Sequence, residues 1–454
     1  MTDSIGGLPF WDLVFDSDGD PDPAGRDALF AELPAQGITD LYVFSHGWNN
    51  SRSTARRLYD GFLGLLAGQL IAAPTGKPGL AGVYWPSLLW SDEPIPNFDP
   101  APPMLGVAGG AAAAVPQTPM EPVPPTVDDQ TLAGLLEQFP EAKDVLERAK
   151  ALLDGPPTDE ARSEFFDCLK EFAARAGTPD DDGEHDGATP PAEPRMLQDD
   201  DPTALYERYR DALTQIGVPI PGDGDGQAGI GDAFRGIWNG AKEALRGATY
   251  WQMKNRAGVV GRNGLGPLLG GLATRAPGLR IHLIGHSFGA RLVSYALDGL
   301  PASMQPSPVK SVTLVEGAFS HFVFARPLPF DAGRGGALAG RQQRVDGPIV
   351  SCFSVHDHAL GTFYPLASLA AGDAASAGHD KLYRWGAIGH DGAQNGDAVL
   401  DAVQAAGSSY HFSRDHILNV DCSAVVSRGG APSGAHSDIV HPEVTGIVLA
   451  ASRT

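Results

Sequence analysis

The stretch Arg280-Ile281-His282-Leu283-Ile284-Gly285-His286-Ser287-Phe288-Gly289-Ala290 decides how this chain is read. Arg280 to Ile284 is an apolar run that reads as a strand, and Ala290 to Leu297 continues as a helix. Between them lies a G-x-S-x-G pattern. Such a motif occurs often by chance, but a strand before it and a helix after it are the context it requires. In that context the serine sits on a sharp, strained turn, with its hydroxyl held above the sheet. Gly285 and Gly289 fall where any side chain would strike the neighbouring strand and helix. The helix N-terminus places its positive dipole under a developing anion. The alternative is a structural serine in a tight turn.

A serine hydroxyl is a poor nucleophile until a base takes its proton. With this motif the partners follow in the order acid, then histidine. Ser351 to Asp357 reads as a strand ending in Asp357, a candidate acid, and Gly434-Ala435-His436-Ser437-Asp438 is a late loop that presents His436, the candidate base. Rivals exist for both. Glu316 ends the preceding strand, His441 lies close to His436, and His356 and His358 flank Asp357. An oxyanion requires two convergent N–H donors. Phe288, directly after the serine, is one candidate. Trp48, in the early loop Ser45-His46-Gly47-Trp48-Asn49-Asn50, is the other. That loop also reads as an ordinary strand-to-helix connection capped by Asn50 or Ser51. His46, Gly47, Trp85 and His286 are expected to line the substrate site. Trp48, Trp85 and Phe288, all at strand ends, either face a pocket mouth or pack the top of the core.

Outward from the motif, strands alternate with helices. Trp11–Phe15, Leu41–Phe44, Gly82–Trp85, Val309–Val315, Ile349–Val355 and His416–Cys422 are further strand candidates, and Thr54–Leu70 repeats Leu58, Phe62, Leu65 and Leu66 on one helical face. This order implies an α/β fold with a mostly parallel sheet and helices on both faces. Residues 91–226 break the pattern and read as an insertion between two halves of one domain, 1–90 and 227–454. Asp128–Leu153, Asp159–Arg175 and Ala204–Ile216 look helical within it. Thr178–Pro202 is acidic, with almost nothing apolar to offset its ordering entropy, and reads as disordered. A long helix is expected over Asp232–Arg256.

The 454 residues carry a formal net charge of −22, which repels phosphate backbones and argues against nucleic-acid binding or docking on an anionic membrane. Three dispersed cysteines, Cys168, Cys352 and Cys422, match neither a zinc nor a redox spacing and suit a reducing compartment. Met1–Pro9 has no basic start or apolar core, and Leu105–Val115 is too short to span a bilayer. The chain therefore reads as cytoplasmic. Asp16-Ser17-Asp18-Gly19-Asp20-Pro21-Asp22 resembles the start of a calcium loop but places Pro21 where glycine is required, so it reads as a turn. No metal and no cofactor are expected.

Taken together, the Ser45-His46-Gly47-Trp48 loop, Gly285-His286-Ser287-Phe288-Gly289-Ala290, Asp357 and His436 resemble the α/β-hydrolase superfamily. The chain is similar to bacterial serine hydrolases of that group with a Gly-His-Ser-Phe-Gly elbow. The resemblance covers about Leu8–Trp90 and Asp232–Thr454. It implies a sheet of eight strands and hydrolysis of a small-molecule or lipid-like acyl substrate, most often an ester, through an acyl-enzyme. Lids of this group usually enter after the sixth strand, whereas the insertion here lies earlier, so either it or Ser320–Gly347 is expected to cover the site. The superfamily also includes non-catalytic binding proteins and acyltransferases, which remain the alternatives.

Overall fold

The computed structural model describes residues 3–87, 90–93, 98–103, 126–156, 158–177, 182, 194–198, 201–215, 230–368, 383–394, 396–414, 416–430 and 432–454. Among the described residues, nine strands build one sheet: β1 (Asp3–Ile5), β2 (Leu8–Val14), β3 (Asp40–Ser45), β4 (Pro78–Tyr84), β5 (Arg280–His286), β6 (Val309–Val315), β7 (Ile349–Phe353), β8 (Val399–Ala402) and β9 (Ile417–Asp421). Their spatial order is β1-β2-β4-β3-β5-β6-β7-β9-β8. Only β1 runs antiparallel to its neighbour; the other pairs are parallel.

The central strands are apolar throughout because both their faces are covered. Side chains alternate between faces. Leu41 and Val43 of β3 and Leu283 of β5 join one apolar cluster, while Tyr42, Phe44 and Ile284 join another on the opposite face. The second cluster is completed by α2 (Arg52–Ala72), through Leu58, Phe62 and Leu66, and by the last helix, Pro442–Ser452, through Val444 and Ile447. The first is completed by α1 (Pro23–Ala35), by α7 (Ile230–Val259), α8 (Gly266–Arg275) and α9 (Phe288–Gly299), and by the helices of the 91–226 segment. These are α3 (Asp129–Gln138), α4 (Lys143–Asp154), α5 (Asp159–Arg175) and α6 (Pro202–Gln215).

The structure differs from the sequence reading at several points. Among the described residues the sheet has nine strands rather than eight. Of these, β1 and β8 carry little apolar signal: β8 reads Val-Leu-Asp-Ala, and Val399 and Leu400 are both exposed. Helices α1 and α8 also went unsignalled, since Pro34 interrupts one and glycines dilute the other. The helical stretch Asp128–Leu153 is two helices, broken where Pro140 follows Phe139. Most of Thr178–Pro202, where disorder is expected, and all of Leu105–Val115, read as too short to span a bilayer, lie outside the described residues. Asp182, however, is described, and it is fully buried. Its carboxylate accepts hydrogen bonds from Arg291 Nε (3.1 Å), Tyr295 OH (2.8 Å) and Ser320 N (3.2 Å), and it pairs with Lys254 Nζ at 2.8 Å. Paired charge, not apolar area, brings this residue of the acidic stretch into the interior. Among the described residues no helix is long and apolar enough to cross a membrane.

Candidate active site

Ser287 links β5 to α9 with φ +57° and ψ −124°, a conformation L residues rarely adopt. The flanking glycines make it possible. A Cβ on Gly285 would lie 2.3 Å from the carbonyl oxygen of Gly289, and one on Gly289 would lie 2.1 Å from that of Ser45. The turn therefore packs backbone against backbone, and the Ser287 hydroxyl is left above the C-terminal edge of the sheet.

Asp357 stands just after β7, fully buried, with Oδ1 accepting from Leu360 N at 2.9 Å. The His436 loop reaches it through a backbone bridge between Asp357 and Gly434 and through Ala435 N donating to His356 O at 2.9 Å. His436 Nδ1 lies 2.6 Å from Asp357 Oδ2, and His436 Nε2 lies 2.9 Å from Ser287 Oγ. Side chains distant in sequence thus form one hydrogen-bonded chain. His286 supports it: its Nε2–H donates to His436 O at 2.8 Å, and burial pulls its pKa down to about 3, so the ring is neutral. Arg428 and His441 both engage Asp438, at 3.0 Å each, which anchors the far end of the same loop.

The rivals stand elsewhere. His441 is occupied by Asp438, and His356 and His358 are exposed. Glu316, at φ +46°, is fully buried, and neither of its carboxyl oxygens has a hydrogen-bond partner among the described residues. Burial first, and then the charge of Asp357, raise its pKa well above the usual carboxylate range. Both effects favour the protonated form of Glu316.

Gly47 passes against the serine: a Cβ there would fall 2.5 Å from Ser287 Cβ. Among the described residues, neither Trp48 N–H nor Phe288 N–H donates a hydrogen bond. Ser51 caps α2 by accepting from Thr54 N at 3.1 Å, so the loop is also an ordinary helix entry.

A cavity of about 680 Å³ opens over Ser287 and His436. Trp48, Leu360, Phe363 and Val440 supply apolar walls, and Tyr209 of α6 and Tyr250 of α7 reach it from above. Tyr250 stacks edge-on to Trp48 at 5.2 Å and packs on Phe288 at 4.5 Å. Among the described residues Ser320–Gly347 contributes nothing to this lining, whereas α6 of the 91–226 segment does. His286 lines the cavity, but Gly47 does not, and neither do His46 and Trp85. They are buried and stacked on each other at 5.7 Å, and they border a separate cavity beyond the loop. Trp85 Nε1 donates to His46 O at 3.0 Å, and burial pulls the His46 pKa down to about 4. These two residues brace the loop from behind. The Phe288 side chain is likewise fully buried rather than at a pocket mouth.

Sequence reasoning missed Tyr209 and Tyr250, because both lie in stretches read only as helical. It also missed Glu93 and Arg246, which no motif marks. Among the described residues no cluster of metal-ligating side chains occurs. The Asp16 segment forms a turn in which Asp16 Oδ1 accepts from Asp18 N and Asp20 N, at 3.0 and 2.8 Å. Comparison with protein-family models, with curated proteins and with solved structures returned no match for this chain.

Proposed function

We propose that the chain is a serine hydrolase of the α/β-hydrolase fold that cleaves an acyl substrate, most often an ester, through an acyl-enzyme. The observation that carries this reading is the Ser287–His436–Asp357 hydrogen-bonded chain set on a strained strand-to-helix turn. The mostly parallel sheet and the chain order serine, aspartate, histidine support the fold assignment.

In this mechanism Ser287 Oγ attacks the acyl carbonyl as His436 Nε2 takes its proton. Asp357 accepts from Nδ1–H, which fixes the tautomer and stabilises the imidazolium. The N–H groups of Trp48 and Phe288 stabilise the oxyanion; a single such donor contributes roughly 10²–10³ in kcat. His436 then protonates the departing alkoxide, and the alcohol leaves. Water attacks the acyl-Ser287 ester with His436 again as base, releasing the carboxylic acid and restoring the serine. Glu316, neutral and without a bond to His436, is disfavoured as the acid. A cavity of about 680 Å³ with mixed apolar and polar walls suits a small-molecule acyl group.

The test is turnover of a panel of p-nitrophenyl esters of increasing acyl length. The wild type is expected to hydrolyse at least one, and Ser287→Ala to lose that activity while keeping its fold. A folded wild type without turnover on any ester, thioester or amide offered contradicts the proposal.

A further inference from the structure

Beside Ser287, Asn49 holds a left-handed backbone, φ +59°, directly after the proposed oxyanion donor Trp48. Residues with a Cβ rarely adopt this conformation, and Asn is among the few that do. Its side chain is fully engaged. Nδ2 donates to Glu93 Oε2 at 2.6 Å and to Trp90 O at 3.4 Å, and Oδ1 accepts from Trp90 N. Glu93 is in turn gripped from α7, where Arg246 Nη1 donates to its Oε1 at 2.6 Å. Arg246 also takes Asp92 with Nη2, at 2.9 and 2.8 Å, and Glu243 with Nε at 2.9 Å, and it lies 4.4 Å over the Trp90 ring. The side chains of Arg246 and Glu93 are only 12% and 18% exposed, so these are charge-assisted bonds largely shielded from water. The Glu93 carboxylate thus bridges a rigid helix to Asn49, the residue that follows Trp48 in the chain.

We propose that Glu93, clamped by Arg246, is a positioning residue that holds Asn49 in its left-handed conformation and so aims the Trp48 N–H at the oxyanion. This rests on the serine-hydrolase reading above. Glu93 touches no reacting atom; it acts through Asn49. An oxyanion donor acts only in the transition state, so its misalignment lowers kcat and leaves KM nearly unchanged.

The experiment is a double-mutant cycle on ester hydrolysis with Glu93→Gln and Asn49→Ala, with rates per folded protein and folding checked by near-UV circular dichroism. Each single variant is expected to lose about tenfold or more in kcat, with KM within twofold. The double variant is expected to match the worse single rather than their product. Asn49→Gly supplies a control, because glycine adopts positive φ without strain. In that background Glu93→Gln is expected to cost less than threefold. A wild-type enzyme whose kcat is indifferent to Glu93→Gln overturns the inference and leaves the hydrolase reading intact, as do multiplicative effects in the cycle or a change confined to KM. A folded wild type that hydrolyses nothing overturns both.

Discussion

Replacing Asp182 by asparagine tests whether a residue of the acidic stretch is docked in the interior. Asp182 is fully buried, as is Arg291, and the Lys254 side chain is 3% exposed. The asparagine keeps the shape but removes a negative charge that contacts both cations. Breaking a buried ion pair by removing one partner costs about 3–5 kcal/mol, since the remaining charges stay desolvated. Unfolding entropy of about 2.1 cal/mol/K per residue amounts to roughly 0.95 kcal/mol/K for 454 residues, so Tm should fall by about 3–5 °C. The assay is thermal unfolding followed by circular dichroism. Asp201→Asn is the control: Asp201 is exposed and caps the start of α6, accepting from Thr203 N at 2.9 Å, and asparagine caps about as well. It should shift Tm by less than about 1 °C. The pH dependence has a definite sign. Burial alone would raise the Asp182 pKa, but Arg291 and Lys254 outweigh it and hold the folded pKa below the unfolded value near 3.8. Its contribution is present above that unfolded value and is lost as pH falls through the folded one. The Tm gap between wild type and variant should therefore stay constant from about pH 5 to 8 and close only in stronger acid. A variant that unfolds with the wild type across that range refutes the docking.

Three further outcomes follow from the site. Glu316→Gln should retain turnover within about tenfold, whereas Asp357→Asn should lose about 10⁴ in kcat; the reverse result would make Glu316 the acid. The folded pKa of Glu316 is raised, so the wild type loses stability as pH climbs from about 4.5 towards that value, and glutamine, which does not ionise, escapes the loss. Denaturant titrations at pH 5 to 8 should show the Gln variant gaining on the wild type with pH, at up to roughly 1.4 kcal/mol per unit. Gly47→Ala places a Cβ 2.5 Å from that of Ser287, so kcat for ester hydrolysis should fall by at least about 10², and wild-type kinetics would refute the close approach.

What the sequence made legible follows from range. Ser287, its glycines and the strand and helix around it are contiguous, and each local preference points the same way. His436 and Asp357 lie far from it in the chain, yet each closes a segment whose position after a strand is readable, and their distances to one another needed the structure. Glu93, Arg246 and Tyr250 were invisible for a different reason. Their roles arise only where α7 crosses the Trp48 loop, a contact that no periodicity encodes. His46 and Trp85 show the converse error: a place in the Trp48 loop for one and at a strand end for the other suggested substrate contact, while stacking turned both rings behind that loop. Asp182 shows that composition averages over a stretch and misses one paired charge within it.

The central claim is that Ser287 is an activated nucleophile, and the most direct measurement is intact-protein mass spectrometry after treatment with a fluorophosphonate, followed by peptide mapping. The wild type should gain one phosphonyl group, mapped to Ser287, and Ser287→Ala should gain none. A folded wild type that stays unmodified, or that carries its adduct on another residue, would contradict the account.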